Sequence, residues 1–185
     1  VMNEITEEMS QQYANWIYDT SPVKGIGKLH TVNDANGYAK TFTYDALGRV
    51  SNKAITIDGK THNVSKTFYA NTSKVDTMNY PAFDGNAFTV RNYYKATGAL
   101  FKTQDVSNGI NGEVYWQANT MNANGQLENF VLGNGVTTTN TYNSNTGFIE
   151  VIDSLKGGIT GIQYLDYEYN AIGNLDHRKD FIKGL

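Results

Sequence analysis

A chain of 185 residues has room for one domain with a core of its own. Its formal charge of −3, spread over 15 basic and 18 acidic side chains without a basic block, argues against a surface built for phosphate backbones. The absence of cysteine removes disulfides and thiolate chemistry, and no apolar run approaches the roughly 20 residues that a membrane-spanning helix needs. Thirteen Tyr, 8 Phe and 18 Gly against 2 Pro favour half-buried strands joined by tight turns.

In chain order, residues 1–15 read as a lead-in. Ile5, Met9, Tyr13, Trp16 and Ile17 fit a helical stripe, but Trp16-Ile17-Tyr18-Asp19 also reads as a strand entering a turn, and register with later segments favours strand from about residue 14. The start at Val1 lacks the basic and apolar regions of a signal peptide, and with the stop after Lys183-Gly184-Leu185 it suggests a piece of something longer.

Residues 16–185 form a tandem array. Its units are led by Tyr18-Asp19, Tyr44-Asp45-Ala46-Leu47-Gly48, Tyr69-Ala70-Asn71-Thr72-Ser73, Tyr94-Lys95-Ala96-Thr97-Gly98, Met121-Asn122-Ala123-Asn124-Gly125, Tyr142-Asn143-Ser144-Asn145-Thr146-Gly147 and Tyr169-Asn170-Ala171-Ile172-Gly173. The leading residues are 26, 25, 25, 27, 21 and 27 apart, within the range of repeat architectures. A second turn signal falls roughly midway in each interval: Asp34-Ala35-Asn36-Gly37, Asp58-Gly59, Asp84-Gly85-Asn86, Asn108-Gly109 with Asn111-Gly112, Gly133-Asn134-Gly135 and Lys156-Gly157-Gly158. Two turns per ~25 residues leave two strands of ordinary length, so each unit is a β-hairpin and the array an antiparallel meander.

The consensus specifies a turn. An aspartate in the place of Asp45 can accept a backbone N–H two residues on, and a glycine in the place of Gly48 can take positive φ and form the bulge that restarts the strand. Asn122, Asn143 and Asn170 can do the same without the charge, whereas Ser73 predicts a different turn. Phe42 and Tyr44 share one strand face against Thr41 and Thr43, as do Leu165, Tyr167 and Tyr169 against Tyr164, Asp166 and Glu168. Apolar residues return just after each turn, at Val50, Val75, Leu100, Leu127, Ile149 and Leu175, and are expected to pack with the motif tyrosines.

"FTYDALGRV" (42–50) and "YEYNAIGNLDHRKD" resemble the tyrosine–aspartate repeats of the Rhs family. "NWIYDTSPVKGIGKL", "GNGVTTTNTYNSNTG" and "IQYLDYEYNAIGNL" resemble longer stretches of large bacterial Rhs proteins, including components of insecticidal toxin complexes; animal teneurins share the repeat class more distantly. The resemblance runs from about Trp16 to Asp180. It implies an all-β sheet of tandem hairpins, curved or spiralling, that is a fragment of a hollow shell around a C-terminal toxin or effector. It implies a secreted or cell-surface protein and repeats that form wall without catalysis or cofactor. The motif residues that match are Tyr18, Asp19, Tyr44, Asp45, Gly48, Tyr94, Gly98, Gly125, Tyr142, Asn143, Gly147, Tyr169, Asn170 and Gly173, all structural. The self-cleaving core region that follows the repeats in the family is not among these residues.

Other chemistry finds little support in the residues. His30, His62 and His177 lie in different units without a second ligand at metal spacing, and Gly25-Ile26-Gly27-Lys28 has His30 where a dinucleotide loop needs its third glycine. The rival to an inert wall is a carbohydrate-binding or adhesion module that stacks sugars on exposed aromatics, with Trp16 and Trp116 as candidate glycan-binding residues. The expected partners are the rest of the same polypeptide and its effector, with no nucleic acid and no membrane span. Open sheet edges would also favour self-association.

Overall fold

The computed structural model describes residues 14–70, 72–158 and 160–182. The helical alternative for the lead-in falls before residue 14, outside the described residues, and strand begins at Ala14. Every regular element described is a β-strand, and no helix is long and apolar enough to cross a membrane. The elements are β1 (Ala14–Tyr18), β2 (Leu29–Asp34), β3 (Ala39–Tyr44), β4 (Val50–Ile57), β5 (Lys60–Phe68), β6 (Val75–Phe83) and β7 (Asn86–Tyr94), followed by β8 (Leu100–Asp105), β9 (Val114–Met121), β10 (Leu127–Leu132), β11 (Val136–Tyr142), β12 (Ile149–Lys156), β13 (Thr160–Tyr169) and β14 (Leu175–Asp180). They lie in one open antiparallel sheet whose strand order is the sequence order. Two compact units divide between Arg91 and Asn92, inside β7.

The six apolar residues expected after the tyrosine-led turns are the first residues of β4, β6, β8, β10, β12 and β14. Four of the motif turns, three led by tyrosine and one by Met121, share one geometry, with the residue-45 N–H bonded to the residue-49 carbonyl (2.9 Å) and the Gly48 N–H to the residue-45 carbonyl (2.8 Å). The same two bonds recur at 95/99/98, 122/126/125 and 170/174/173. This is a three-residue hairpin loop whose glycine sits in the left-handed region, at φ 75° for Gly48. Where Ser73 replaces the glycine, the Tyr69 N–H instead reaches the Lys74 carbonyl at 3.0 Å, a loop one residue longer. On the other edge, Asp58-Gly59 and Asp84-Gly85 take positive φ at both residues, the two-residue turn that matches strand twist.

A second irregularity has no counterpart in the sequence reading. Thr43 faces Asn52 but Tyr44 faces Val50, so Ser51 is extra. The same one-residue bulge leaves out His30, Glu150 and Asp176 in the hairpins of Tyr18, Tyr142 and Tyr169. Each bulge lets the tyrosine and the first apolar residue of the next strand share a face while a polar residue is set aside, and it adds local twist.

In the N-terminal unit, register puts Phe42 opposite Lys53, Lys53 opposite Val64, Lys66 opposite Met78 and Tyr80 opposite Phe88. The reverse face is polar and bonded between side chains. Asn52 Nδ2 donates to Asn63 Oδ1 (3.2 Å), Asn79 Nδ2 to Ser65 Oγ (3.0 Å) and Thr89 Oγ1 to Asn79 Oδ1 (2.7 Å). In the C-terminal unit, Ala118, Phe130, Thr138, Ser154, Ile152 and Leu165 share a face, and Asn119, Asn129 and Thr139 form a hydrogen-bonded row on its reverse. Leu165 is 6% exposed against 37% for Tyr164, as the alternation requires. Among the described residues only Tyr44, Ala118 and Leu165 are buried hydrophobics, so burial in this single layer comes from lateral neighbours and not from a sealed core.

Candidate functional site: a ladder of turns along one sheet edge

A meander alternates its turns between two edges, so within each unit the tyrosine-led turns stand side by side along one edge. Each turn is first made locally. The Asp45 carboxylate accepts the Leu47 and Arg49 N–H groups through Oδ1, both at 2.9 Å. Asn122 Oδ1 accepts Asn124 and Gln126 (3.0 Å each), and Asn170 Oδ1 accepts Ile172 and Asn174 (3.1 and 3.0 Å). Asn143 builds a loop one residue longer, in which the Gly147 N–H meets the Asn143 carbonyl at 2.8 Å. Lys95 has no such acceptor, yet the turn from Tyr94 to Gly98 keeps both backbone bonds, so the glycine conformation (φ 92°) suffices there.

The first turn departs most. Asp19 itself has φ 66°, its N–H bonds the Lys28 carbonyl at 3.0 Å and its Oδ1 accepts the Gly27 N–H, so residues 19–28 close as one wide loop. Tyr18 at its mouth is 52% exposed.

The turns are then tied to one another. In four hairpins the residue just before the strand-starting apolar position reaches the next hairpin in the series. Lys28 Nζ donates to the Gly48 carbonyl and lies 4.9 Å from the Tyr44 ring centroid. Arg49 Nη1 donates to the Thr72 carbonyl, and its guanidinium sits 4.1 Å from the Phe68 ring centroid. In the C-terminal unit Gln126 Nε2 donates to the Gly147 carbonyl at 2.7 Å, and Phe148 packs on Tyr169 with ring centroids 4.8 Å apart. The tyrosines bind backwards as well. Tyr44 OH donates to the Leu29 carbonyl (2.5 Å) and Tyr142 OH to the Leu127 carbonyl (3.1 Å), each at the start of the preceding hairpin's second strand. Lys28, Arg49, Gln126 and Phe148 were missed by the sequence reading. Their signal is positional: each directly precedes Leu29, Val50, Leu127 or Ile149.

Arg49 also chelates Asp45, with Nε 2.6 Å from Oδ2, and this hydrogen bond is the main reason the Asp45 carboxyl titrates below its ordinary range. A carboxyl pKa lowered by folding contributes stability that is complete above the unfolded value, near 3.9, and is lost as pH falls through the folded one. We therefore expect Asp45→Asn to flatten the acid limb of a pH–stability profile measured by urea unfolding. An acid limb as steep as in the parent chain would contradict the assignment.

The arrangement organises backbone. Among the described residues no group of three or more His, Cys, Asp or Glu side chains could hold a metal ion. The two tryptophans differ: Trp16 is 59% exposed on β1, whereas Trp116 is half-buried on β9 with its ring 6.3 Å from that of Phe130.

Comparison with known proteins fits this geometry. The RHS Repeat family model matches residues 25–61, the stretch holding β2 to β4, the Asp45 turn and the Asp58-Gly59 turn. No curated protein matches the chain. Among solved structures, the Tc holotoxin pore of Photorhabdus luminescens superimposes with a TM-score of 0.69 at 18% identity, covering 91% of this chain and 9% of that one. The TcdB2-TccC3 structure gives 0.70 at 19%, again over 91% and 9%, and so does TcdB2-TccC3 without its hypervariable C-terminal region. At these identities the likeness is one of fold, and the chain spans about a tenth of the length of those it matches.

Proposed function

We propose that this chain, which carries an RHS repeat at residues 25–61, is a non-enzymatic stretch of wall in a large secreted bacterial Rhs-type protein, enclosing a C-terminal toxin or effector. The observation that carries the reading is the ladder. Successive hairpins are joined by Lys28, Arg49 and Gln126 to the next turn and by Tyr44 and Tyr142 to the previous hairpin, so the side-chain bonds along this edge are spent on continuity of the sheet. Support for the enclosing role comes from the fold likeness to Tc toxin chains, where a segment of this kind is a small part of a much longer polypeptide. We assign residues 16–185 to the repeat region and 1–15 to a lead-in, with the rest of the polypeptide and its effector as partners.

The reading is tested in the full-length polypeptide by limited trypsin digestion. The segment C-terminal to the repeats should resist cleavage, and should become sensitive when Tyr44→Ala and Arg49→Ala weaken the ladder. A C-terminal segment cut equally fast in both proteins would sink the enclosing role. The carbohydrate-binding alternative draws its support from Trp16, whose ring is open to solvent, and less from Trp116, whose ring packs on Phe130.

A further inference from the structure

On the mixed face of the N-terminal unit lies a groove lined by Phe42, Val50, Lys53, Val64, Lys66, Met78 and Tyr80. Its walls are apolar and its only charges are the two lysines, both half-buried. Neither lysine has a carboxylate partner among the described residues, in contrast to Arg49 and Arg91, which are paired with Asp45 and Asp76. Two lysines without a carboxylate partner among the described residues, half-buried in a groove otherwise lined by apolar side chains, give it a local positive charge that an anionic ligand matches.

The register defines the demand further. Lys53 on β4 faces Val64 on β5, and Lys66 is two residues beyond Val64, so the lysines are diagonal neighbours, about 7–8 Å apart at the backbone. Along an extended peptide, alternate residues are about 6.6 Å apart and point the same way. Carboxylates at alternate positions therefore match the spacing of the two lysines, and apolar side chains two positions outside them, on the same face of the peptide, meet Phe42, Met78 and Tyr80.

We propose that this groove docks an extended polypeptide segment with acidic residues at two alternate positions and apolar residues two positions before the first and two after the second, all on one face. The inference goes beyond the wall function and does not depend on it. A fluorescein-labelled peptide, Leu-Ser-Glu-Ser-Glu-Ser-Leu, is titrated with the 185-residue chain by fluorescence anisotropy. Saturable binding is expected that weakens about tenfold in the Lys53→Gln/Lys66→Gln variant and in raised salt. Lys60→Gln, at the start of β5 outside the groove, should leave it unchanged. The charge-reversed Lys53→Glu/Lys66→Glu chain should instead bind the peptide with lysines in place of its glutamates, a gain that a misfolded variant would not give. Equal affinity for parent and glutamine variants, equal affinity for a peptide with glutamines in place of its glutamates, or no binding would overturn the proposal. Lysine-dependent capture by phosphatidylglycerol vesicles without peptide binding would overturn it as well, in favour of a lipid surface.

Discussion

Tyr44→Ala is expected to lower the unfolding free energy by about 3 kcal/mol, the low end of the cost of deleting a buried aromatic side chain. The ring belongs to the one aromatic side chain among the buried hydrophobics of the described residues, at 9% exposed, and it supports three contacts at once. Tyr44 stands opposite Val50 across the hairpin, the Lys28 ammonium lies over its ring, and its hydroxyl ties β3 to the start of β2. Tyr44→Phe keeps the first two and loses the third, so it should cost about 1 kcal/mol. Urea unfolding followed by tyrosine and tryptophan fluorescence measures both. If the two variants were equally destabilised, the hydroxyl would be the whole effect and the packing assignment would be wrong.

The second large effect concerns Gly48. Its φ of 75° is a conformation that a β-branched side chain adopts only with strain, about 1–2 kcal/mol. An added Cβ would also fall on Lys28 Nζ, the group that donates to the Gly48 carbonyl. Displacing that bond adds about 1 kcal/mol, so Gly48→Val should cost about 2–3 kcal/mol in all. Gly37 provides the comparison. It has φ 86° and open space where its Cβ would stand, so Gly37→Val should show the strain alone. In a Lys28→Met background the difference between the two glycine variants should vanish. A difference that persists there would mean that the ladder bond from Lys28 contributes nothing to it.

The fold was legible because its punctuation is chemical and local. Asp45 with Gly48, and Asp58 with Gly59, specify their turns within a few residues, and a meander needs only the positions of its turns. The alternation of Phe42 and Tyr44 with Thr41 and Thr43 likewise follows from the period of a strand. Three things lay beyond that reach. The bulges at Ser51 and Glu150 depend on how two strands register, which neither strand encodes alone. The reach of Arg49 to the Thr72 carbonyl depends on which turns are neighbours, some 23 residues away in sequence. The width of the loop closed by Asp19 and Lys28 was hidden because Tyr18-Asp19 has no glycine at the usual distance to mark its end.

The ladder also fixes the unit in which such a sheet can change length. Adding or removing a whole hairpin returns a tyrosine-led turn to the same edge, so a side chain in the place of Lys28 or Gln126 still finds a carbonyl to hold. A single inserted strand would put every later turn on the opposite edge, where the short Asp-Gly reversals stand, and cut the series at the insertion. Duplication in steps of two strands is therefore the growth that the architecture tolerates, and the length of the sheet should change in increments of that size.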